Sequence, residues 1–172
     1  MRKSFVTMVL VALVGTIALA QSVTYDFDKS ASFSKFKTYA WVRGTELDDR
    51  LNHARIVAAV DTQLLGKGGL MRVEPTANPD LLVAYHASFQ RDLQINGSGW
   101  GGYRFGGSRT GTARTEEIVV GTLVVDIVDA HTKTIVWRGI ASKDLDPDAK
   151  PEKREKNINT AAAKLFKNYP PK

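Results

Sequence analysis

The sequence predicts an α+β domain built on an antiparallel sheet of about six strands, with two packed helices and a long glycine-rich hairpin loop. Runs of β-forming residues outnumber the two helical apolar stripes, and most of these runs follow one another without an intervening helix. The composition is that of about one globular domain, with 172 residues, 43% hydrophobic and 24% charged. It excludes a fibrous chain and a multi-span membrane protein.

The first 20 residues have the features of a secretory signal peptide. Arg2 and Lys3 form a basic start, residues 5–19 carry no charge, and Ala18 and Ala20 place small residues at both specificity positions of a cleavage site. The apolar run is shorter than the ~20 residues that cross a bilayer, which favours cleavage over the alternative of an uncleaved anchor. We therefore expect a signal peptide over residues 1–20, cleaved near Ala20. A single domain over residues 21–172 should follow, periplasmic or secreted and without a transmembrane segment.

The chain contains no cysteine. This excludes disulfides, zinc–thiolate sites and cysteine nucleophiles, and no lipoprotein-type acyl anchor is expected, so stability must come from the core. Removal of residues 1–20 leaves 22 basic and 18 acidic residues, a net charge of +4. Such a mild charge favours anionic surfaces only weakly.

The first half of the chain predicts short strands around one helix. Residues 23–27 and 38–42 are alternating or rich in β-forming residues, and residues 71–73 allow only a short strand. Asp48 and Asp49 are typical of a helix start. The helix has an apolar stripe and ends at glycines: Ile56, Val57, Val60, Leu64, then Gly66, Gly68 and Gly69.

The second half predicts three long strands. Residues 81–95 alternate, and residues 117–128 are apolar on both faces, as in a central covered strand. Residues 134–142 form the hairpin partner of the central strand through a short polar turn, so these two strands should be antiparallel. Asp126 and Arg138 then become cross-strand neighbours, a structural ion pair that contributes about 0.2–1 kcal/mol.

The last element is an amphipathic helix that begins near Pro151 and ends before Pro170. Its apolar residues fall on one stripe: Ile158, Ala161, Ala162, Leu165, Phe166 and Tyr169.

Residues 96–112 hold seven of the fourteen glycines and lie between two strands, which predicts a long hairpin loop. The formal G-x-G-x-x-G in residues 97–102 has no helical pattern after it, so neither a nucleotide nor another cofactor is expected. Aromatic rings among arginines can instead bind an anionic or glycan ligand. The candidate residues are Trp100, Tyr103, Arg104, Phe105, Arg109 and Arg114. The alternative is a solvated loop whose aromatic side chains return to the sheet edge.

Asp144, Asp146 and Asp148, with Glu155 at the twelfth position, are spaced like the ligands of a calcium loop. However, Ala149 stands where the turn glycine belongs, and a strand rather than a helix precedes. The alternative is an acidic linker that favours the start of the last helix through the helix dipole.

His86 is a candidate for a catalytic base, because Asp80 is near it in sequence and its strand is expected to be half-buried. The alternative is a structural histidine, and no G-x-S-x-G elbow accompanies it.

Six blocks of the sequence, in order, resemble the domain-of-unknown-function 4136 family of bacterial envelope proteins and lipoproteins. They are VTYDFD at 23–28, FSKFKTYAW at 33–41, PDLLVAYH at 79–86, GTLVVD at 121–126, VWRG at 136–139, and PEK at 151–153 with YP at 169–170. The resemblance implies an exported α+β domain and implies no activity. The absence of a lipobox cysteine departs from many members and favours a soluble periplasmic form.

Taken together, the residues and the resemblance predict an exported envelope protein that is a non-enzymatic structural or binding module. An anionic envelope component or another envelope protein is the expected partner, and nucleic acid is not expected. Two alternatives stay open: a small hydrolase or transferase that uses His86, and a calcium-stabilised domain.

Overall fold

The computed structural model describes residues 21–96 and 114–172, with all side chains except those of residues 92–96 and 114–117. The predicted signal peptide and most of the predicted glycine-rich loop lie outside the described residues. The strands are β1 Ser22–Phe27, β2 Thr38–Trp41, β3 Met71–Arg72, β4 Leu81–Asn96, β5 Arg114–Asp129 and β6 Ile135–Leu145, and the helices are α1 Arg50–Gly68 and α2 Pro151–Leu165. Short 3-10 turns lie at Phe33–Lys35 and Pro75–Ala77.

The six strands form one sheet in the order β1-β6-β5-β4-β2-β3. This confirms the predicted α+β fold with six strands and two helices. The pairs β1–β6, β6–β5 and β5–β4 are antiparallel, as predicted, but β2 runs parallel to both β3 and β4. The parallel pairs arise because α1 forms a crossover between β2 and β3, which returns the chain in the same direction.

The hairpin of β5 and β6 has the predicted register. Asp126 lies opposite Arg138, and a bulge follows between Ile127 and Val128. The Asp129 carboxylate closes the turn by accepting hydrogen bonds from the backbone N–H groups of His131 and Thr132. Burial opposes ionisation of Asp129, but these bonds and the Lys35 ammonium outweigh it and lower the pKa of this carboxyl.

Helix α1 begins and ends where its sequence predicts. The Asp49 carboxylate accepts hydrogen bonds from the N–H groups of Leu51 and Asn52, which otherwise lack partners in the first turn. Gly69 ends the helix in the left-handed conformation, at φ 61°, which favours glycine.

The core lies between the helices and one face of the sheet. Odd-numbered residues of β4 and β5 supply the sheet side of the core, and both helices contribute apolar stripes. Within this core, Trp137 stacks on Phe166 with ring centroids 4.8 Å apart, and the ring of Tyr169 packs edge-on against Trp137 at 5.6 Å. Strand β5 is central, as predicted, but a helical layer covers only one of its faces, so Val124 on the other face stays partly exposed.

No helix in the described part of the chain is long and apolar enough to cross a membrane.

Candidate functional site

A cleft of about 260 Å³ lies where the sheet extends past the helices. Its floor is formed by β4, β5 and β6, and its walls by α2, the first turns of α1 and Leu47. Most of the lining side chains are apolar, and the charged ones are Lys143, Asp146 and Arg154. Phe89 at the rim is 54% exposed, which is high for a large apolar side chain.

The floor is open because small residues occupy it at matching positions. Ala87, Leu123 and Ala141 form one cross-strand row, and Phe89, Gly121 and Lys143 form the next. Gly121 therefore contributes no side chain in the middle of the second row, and Leu145 packs over it. A Cβ at this position would lie 2.5 Å from the Cδ1 atom of Leu145. Because Gly121 has no side chain, the Leu145 side chain can occupy this position beside the cleft.

The α2 wall changes character along the helix. Arg154, Asn157, Ile158 and Ala161 all line the cleft. Their spacing places them on one face of the helix. The first two are polar and the last two are apolar, so the cleft has a polar end and an apolar end.

The polar end carries two cations whose hydrogen-bond partners among the described residues are neutral. Lys143 Nζ donates to Asn157 Oδ1 at 2.8 Å. Arg154 donates from Nε to the carbonyl oxygen of Ala149 and from Nη2 to that of Pro147, each at 2.9 Å. Among the described residues, neither cation lies within salt-bridge distance of a carboxylate.

The acidic side chain at this end, Asp146, already has a cationic partner. Its carboxylate accepts a hydrogen bond from Lys153 Nζ at 2.8 Å and another from the Asp148 N–H at 3.0 Å. The Lys153 ammonium, followed by the Asp148 amide, lowers the pKa of Asp146. The polar end of the cleft is therefore positive, with one charge on Lys143 and one on Arg154.

The predicted candidate His86 lies elsewhere, on the sheet face that carries no helix. Its Nδ1 atom accepts a hydrogen bond from the Thr45 N–H at 3.1 Å, which places the proton of the neutral ring on Nε2. Nε2 faces Asp126 Oδ2 at 3.5 Å. Both ring nitrogens are therefore engaged, and this arrangement favours a structural role in holding residues 42–47 against β4.

Asp126 joins His86 to the predicted ion pair, which is present. Arg138 donates two hydrogen bonds to the Asp126 carboxylate, at 2.5 and 2.7 Å. The carboxylate raises the pKa of Arg138.

The acidic residue that the sequence places near His86 has a different role. Asp80 accepts hydrogen bonds from the N–H groups of Lys37 and Thr38, and so ties the start of β4 to the start of β2.

The four predicted calcium ligands do not converge. Among the described residues, no group of three or more acidic or histidine side chains could hold a metal ion. Asp146 is bound to Lys153, while Asp144, Asp148 and Glu155 are exposed.

The proposed ligand-binding residues Trp100, Tyr103, Arg104, Phe105 and Arg109 lie outside the described residues, as does the side chain of Arg114.

The cleft itself was not predicted from the sequence. One signal was available, since the β5–β6 hairpin predicted from the sequence places Gly121 and Ala141 on the same face as Lys143. The part of the cleft that α2 forms could not be predicted, because no local sequence pattern shows where a helix packs along a long sheet.

A protein-family model, described as Domain of unknown function (DUF4136), matches residues 23–171. The comparison with curated proteins gave no match. Among solved structures, the chain is similar to a PDZ domain protein from Parabacteroides distasonis, with 16% identity and a TM-score of 0.57 over 88% of this chain. This chain spans 36% of that protein's chain.

The chain is also similar to PelC from Paraburkholderia phytofirmans, crystallised as a dodecamer. The identity is 9% and the TM-score 0.53, over 86% of this chain and 95% of that one. At these identities the likeness concerns the fold alone. The family model, in contrast, spans nearly all of the chain after residue 22. The chain therefore belongs to the DUF4136 family.

Proposed function

We propose that the protein is an exported envelope protein that acts as a non-enzymatic binding module, with the cleft as its binding site. The observation that carries the proposal is the cleft itself, a concave and mainly apolar surface with polar groups at one end. Binding sites for small molecules are commonly of this kind, because the apolar lining provides affinity and a few polar groups fix orientation.

Burial of apolar surface supplies the driving force. Removing apolar surface from water contributes roughly 25 cal/mol per Å². Part of the apolar surface of the cleft is still exposed to water, on Phe89 and on the partly buried side chains of Leu123 and Leu145. A ligand with an apolar part gains free energy by covering it.

Binding is tested with a neutral fluorescent naphthylamine probe, whose emission rises in apolar surroundings. Ala161→Phe should fill the apolar end of the cleft and abolish most of the fluorescence increase. Ala163→Phe is the matched control, since Ala163 is exposed on the same helix and does not line the cleft. Melting curves establish that both variants fold. Equal probe binding by the two variants would contradict the cleft as the binding site.

Export is supported by the basic start, the uncharged run of residues 5–19 and the small residues before Gln21. We expect the mature chain to begin at Gln21 and to be released by osmotic shock. N-terminal sequencing that finds Met1 on a cytoplasmic protein would refute export without bearing on the cleft.

A further inference from the structure

We propose that the ligand of the cleft is a single-chain amphiphile with a carboxylate head, that is, a long-chain fatty acid or a close chemical relative. This inference rests on the proposed function and adds the chemical class of the ligand. The head would lie between Lys143 and Arg154, and the chain would run over Leu123 toward Ala161.

The charge of the polar end selects an anion. Lys143 and Arg154 donate only to neutral oxygens among the described residues, and the one acidic lining group, Asp146, is bound to Lys153. An incoming carboxylate would therefore meet two cations that form no salt bridge with a carboxylate among the described residues. Hydrogen bonds between ionised partners are about twice as strong as those between neutral groups.

The N-terminus of α2 adds to the same preference. Ala149 and Arg154, on either side of the helix start, both line the cleft. A helix N-terminus carries a partial positive charge that favours anions within the first turn. This field has the same sign as the two side chains, so it reinforces them.

The size of the cleft favours a ligand with one hydrocarbon chain over a ligand with two. Its volume of about 260 Å³ is below the range of ~300–1,000 Å³ that is usual for sites of drug-sized ligands. Lys143, at the polar end, lies in the cross-strand row next to that of Ala87, Leu123 and Ala141. An extended hydrocarbon chain matches this succession from charged to apolar lining.

Lys143 is the side chain to change, because among the described residues its ammonium group makes one hydrogen bond, to Asn157. Arg154 also holds the carbonyl oxygens of residues 147 and 149, so its loss would disturb the loop before α2. Lys156→Gln is the matched control for Lys143→Gln. It removes the same charge from an exposed position that does not line the cleft.

Calorimetric titrations of the purified protein with dodecanoate, dodecanol and dodecylamine, below their aggregation concentrations, test the inference. We expect dodecanoate to bind about tenfold more tightly than dodecanol, as one charge-assisted hydrogen bond at a partly solvated site implies, and dodecylamine to bind most weakly. Lys143→Gln should remove most of the tenfold preference for dodecanoate over dodecanol, whereas Lys156→Gln should leave this preference unchanged.

Three results would overturn the carboxylate assignment: equal affinity for dodecanoate and dodecanol, equal effects of the two lysine substitutions, or, in a further titration, tighter binding of dodecyl phosphate than of dodecanoate. If dodecanol binds and Ala161→Phe blocks it, the cleft remains a binding site and only the ligand class is wrong. If none of the three amphiphiles and no neutral probe binds, the proposed binding function fails as well.

Discussion

Two glycines on the helix-covered face of neighbouring strands, Gly139 in β6 and Gly121 in β5, should differ in how strongly the same substitution destabilises the protein. A Cβ at Gly139 would overlap Cη2 of Trp137 and lie 2.8 Å from Cγ of Leu165. Trp137 and Leu165 are each 1% exposed, so neither can move without displacing the core. We expect Gly139→Ala to lower the free energy of unfolding by about 1–3 kcal/mol, the usual cost of overpacking.

Gly121→Ala introduces a Cβ 2.5 Å from Leu145 Cδ1, but Leu145 is a half-buried side chain beside the cleft and can turn into it. Replacing glycine by alanine also reduces the entropy of the unfolded chain, which contributes about 0.4–1 kcal/mol in favour of the folded state. The free energy of unfolding of this variant should therefore stay within about 1 kcal/mol of the wild-type value.

Thermal unfolding followed by circular dichroism distinguishes the two cases. In a domain of this size, 1 kcal/mol shifts the melting temperature by roughly 2–4 °C, so Gly139→Ala should melt roughly 2–12 °C below the wild type. Urea titrations at 25 °C provide the free energies independently. Similar losses in both variants, or an unaffected Gly139→Ala protein, would refute the reasoning that α2 packs rigidly over Trp137.

Three further outcomes are expected. The backbone N–H of Lys37, together with the amide and hydroxyl of Thr38, lowers the pKa of Asp80 against the effect of burial. The resulting stability is present above the unfolded pKa of about 3.9 and is lost as the pH falls through the lower folded value. Urea titrations of the wild type and Asp80→Asn should therefore differ most above about pH 5 and least near pH 2, and a constant difference would contradict this role. Millimolar calcium should raise the melting temperature no more than magnesium does, because Asp146 is bound to Lys153; a calcium-specific rise would restore the predicted metal site. Replacing residues 97–113 by a short turn should leave the melting temperature within a few degrees of the wild type, since β4 and β5 pair from Asn96 to the opposite end, and loss of folding would show that this segment is required.

Local sequence patterns were sufficient to predict the structural elements whose contacts join residues close together in the chain. The acceptor at Asp49 and the glycine at position 69 set the limits of α1, and a polar turn of a few residues sets the β5–β6 register that pairs Asp126 with Arg138. The parallel pairing of β2 was not predictable in this way. It joins Tyr39 to residues more than 30 positions away, and only the placement of α1 decides the direction.

The cleft could not be predicted for a related reason. Lys143 and Arg154 come from different elements, and their meeting depends on where α2 packs along β6. The ion pair of Asp126, in contrast, required only the pairing of two adjacent strands. The sequence therefore predicts the ion pair on the uncovered sheet face but not the polar groups of the cleft.

A mismatch of lengths explains why this fold leaves a cleft at all. Strands β4 and β5 have 16 residues each, about 53 Å at 3.3 Å per residue, whereas α1 and α2 have 19 and 15 residues, about 28 and 22 Å. Even a helix aligned with the strands covers about half of their length. Near the β5–β6 turn the helices cover the sheet completely, and Val83 and Ile127 are fully buried. Four residues after the buried Tyr85 in β4, the side chain of Phe89 is 54% exposed. The cleft lies at this boundary, where the stripe of α2 still faces the sheet but small floor residues keep the two apart. The same strands thus supply the core at one end and an apolar surface at the other, and a bound hydrocarbon chain would extend the layer that the helices begin.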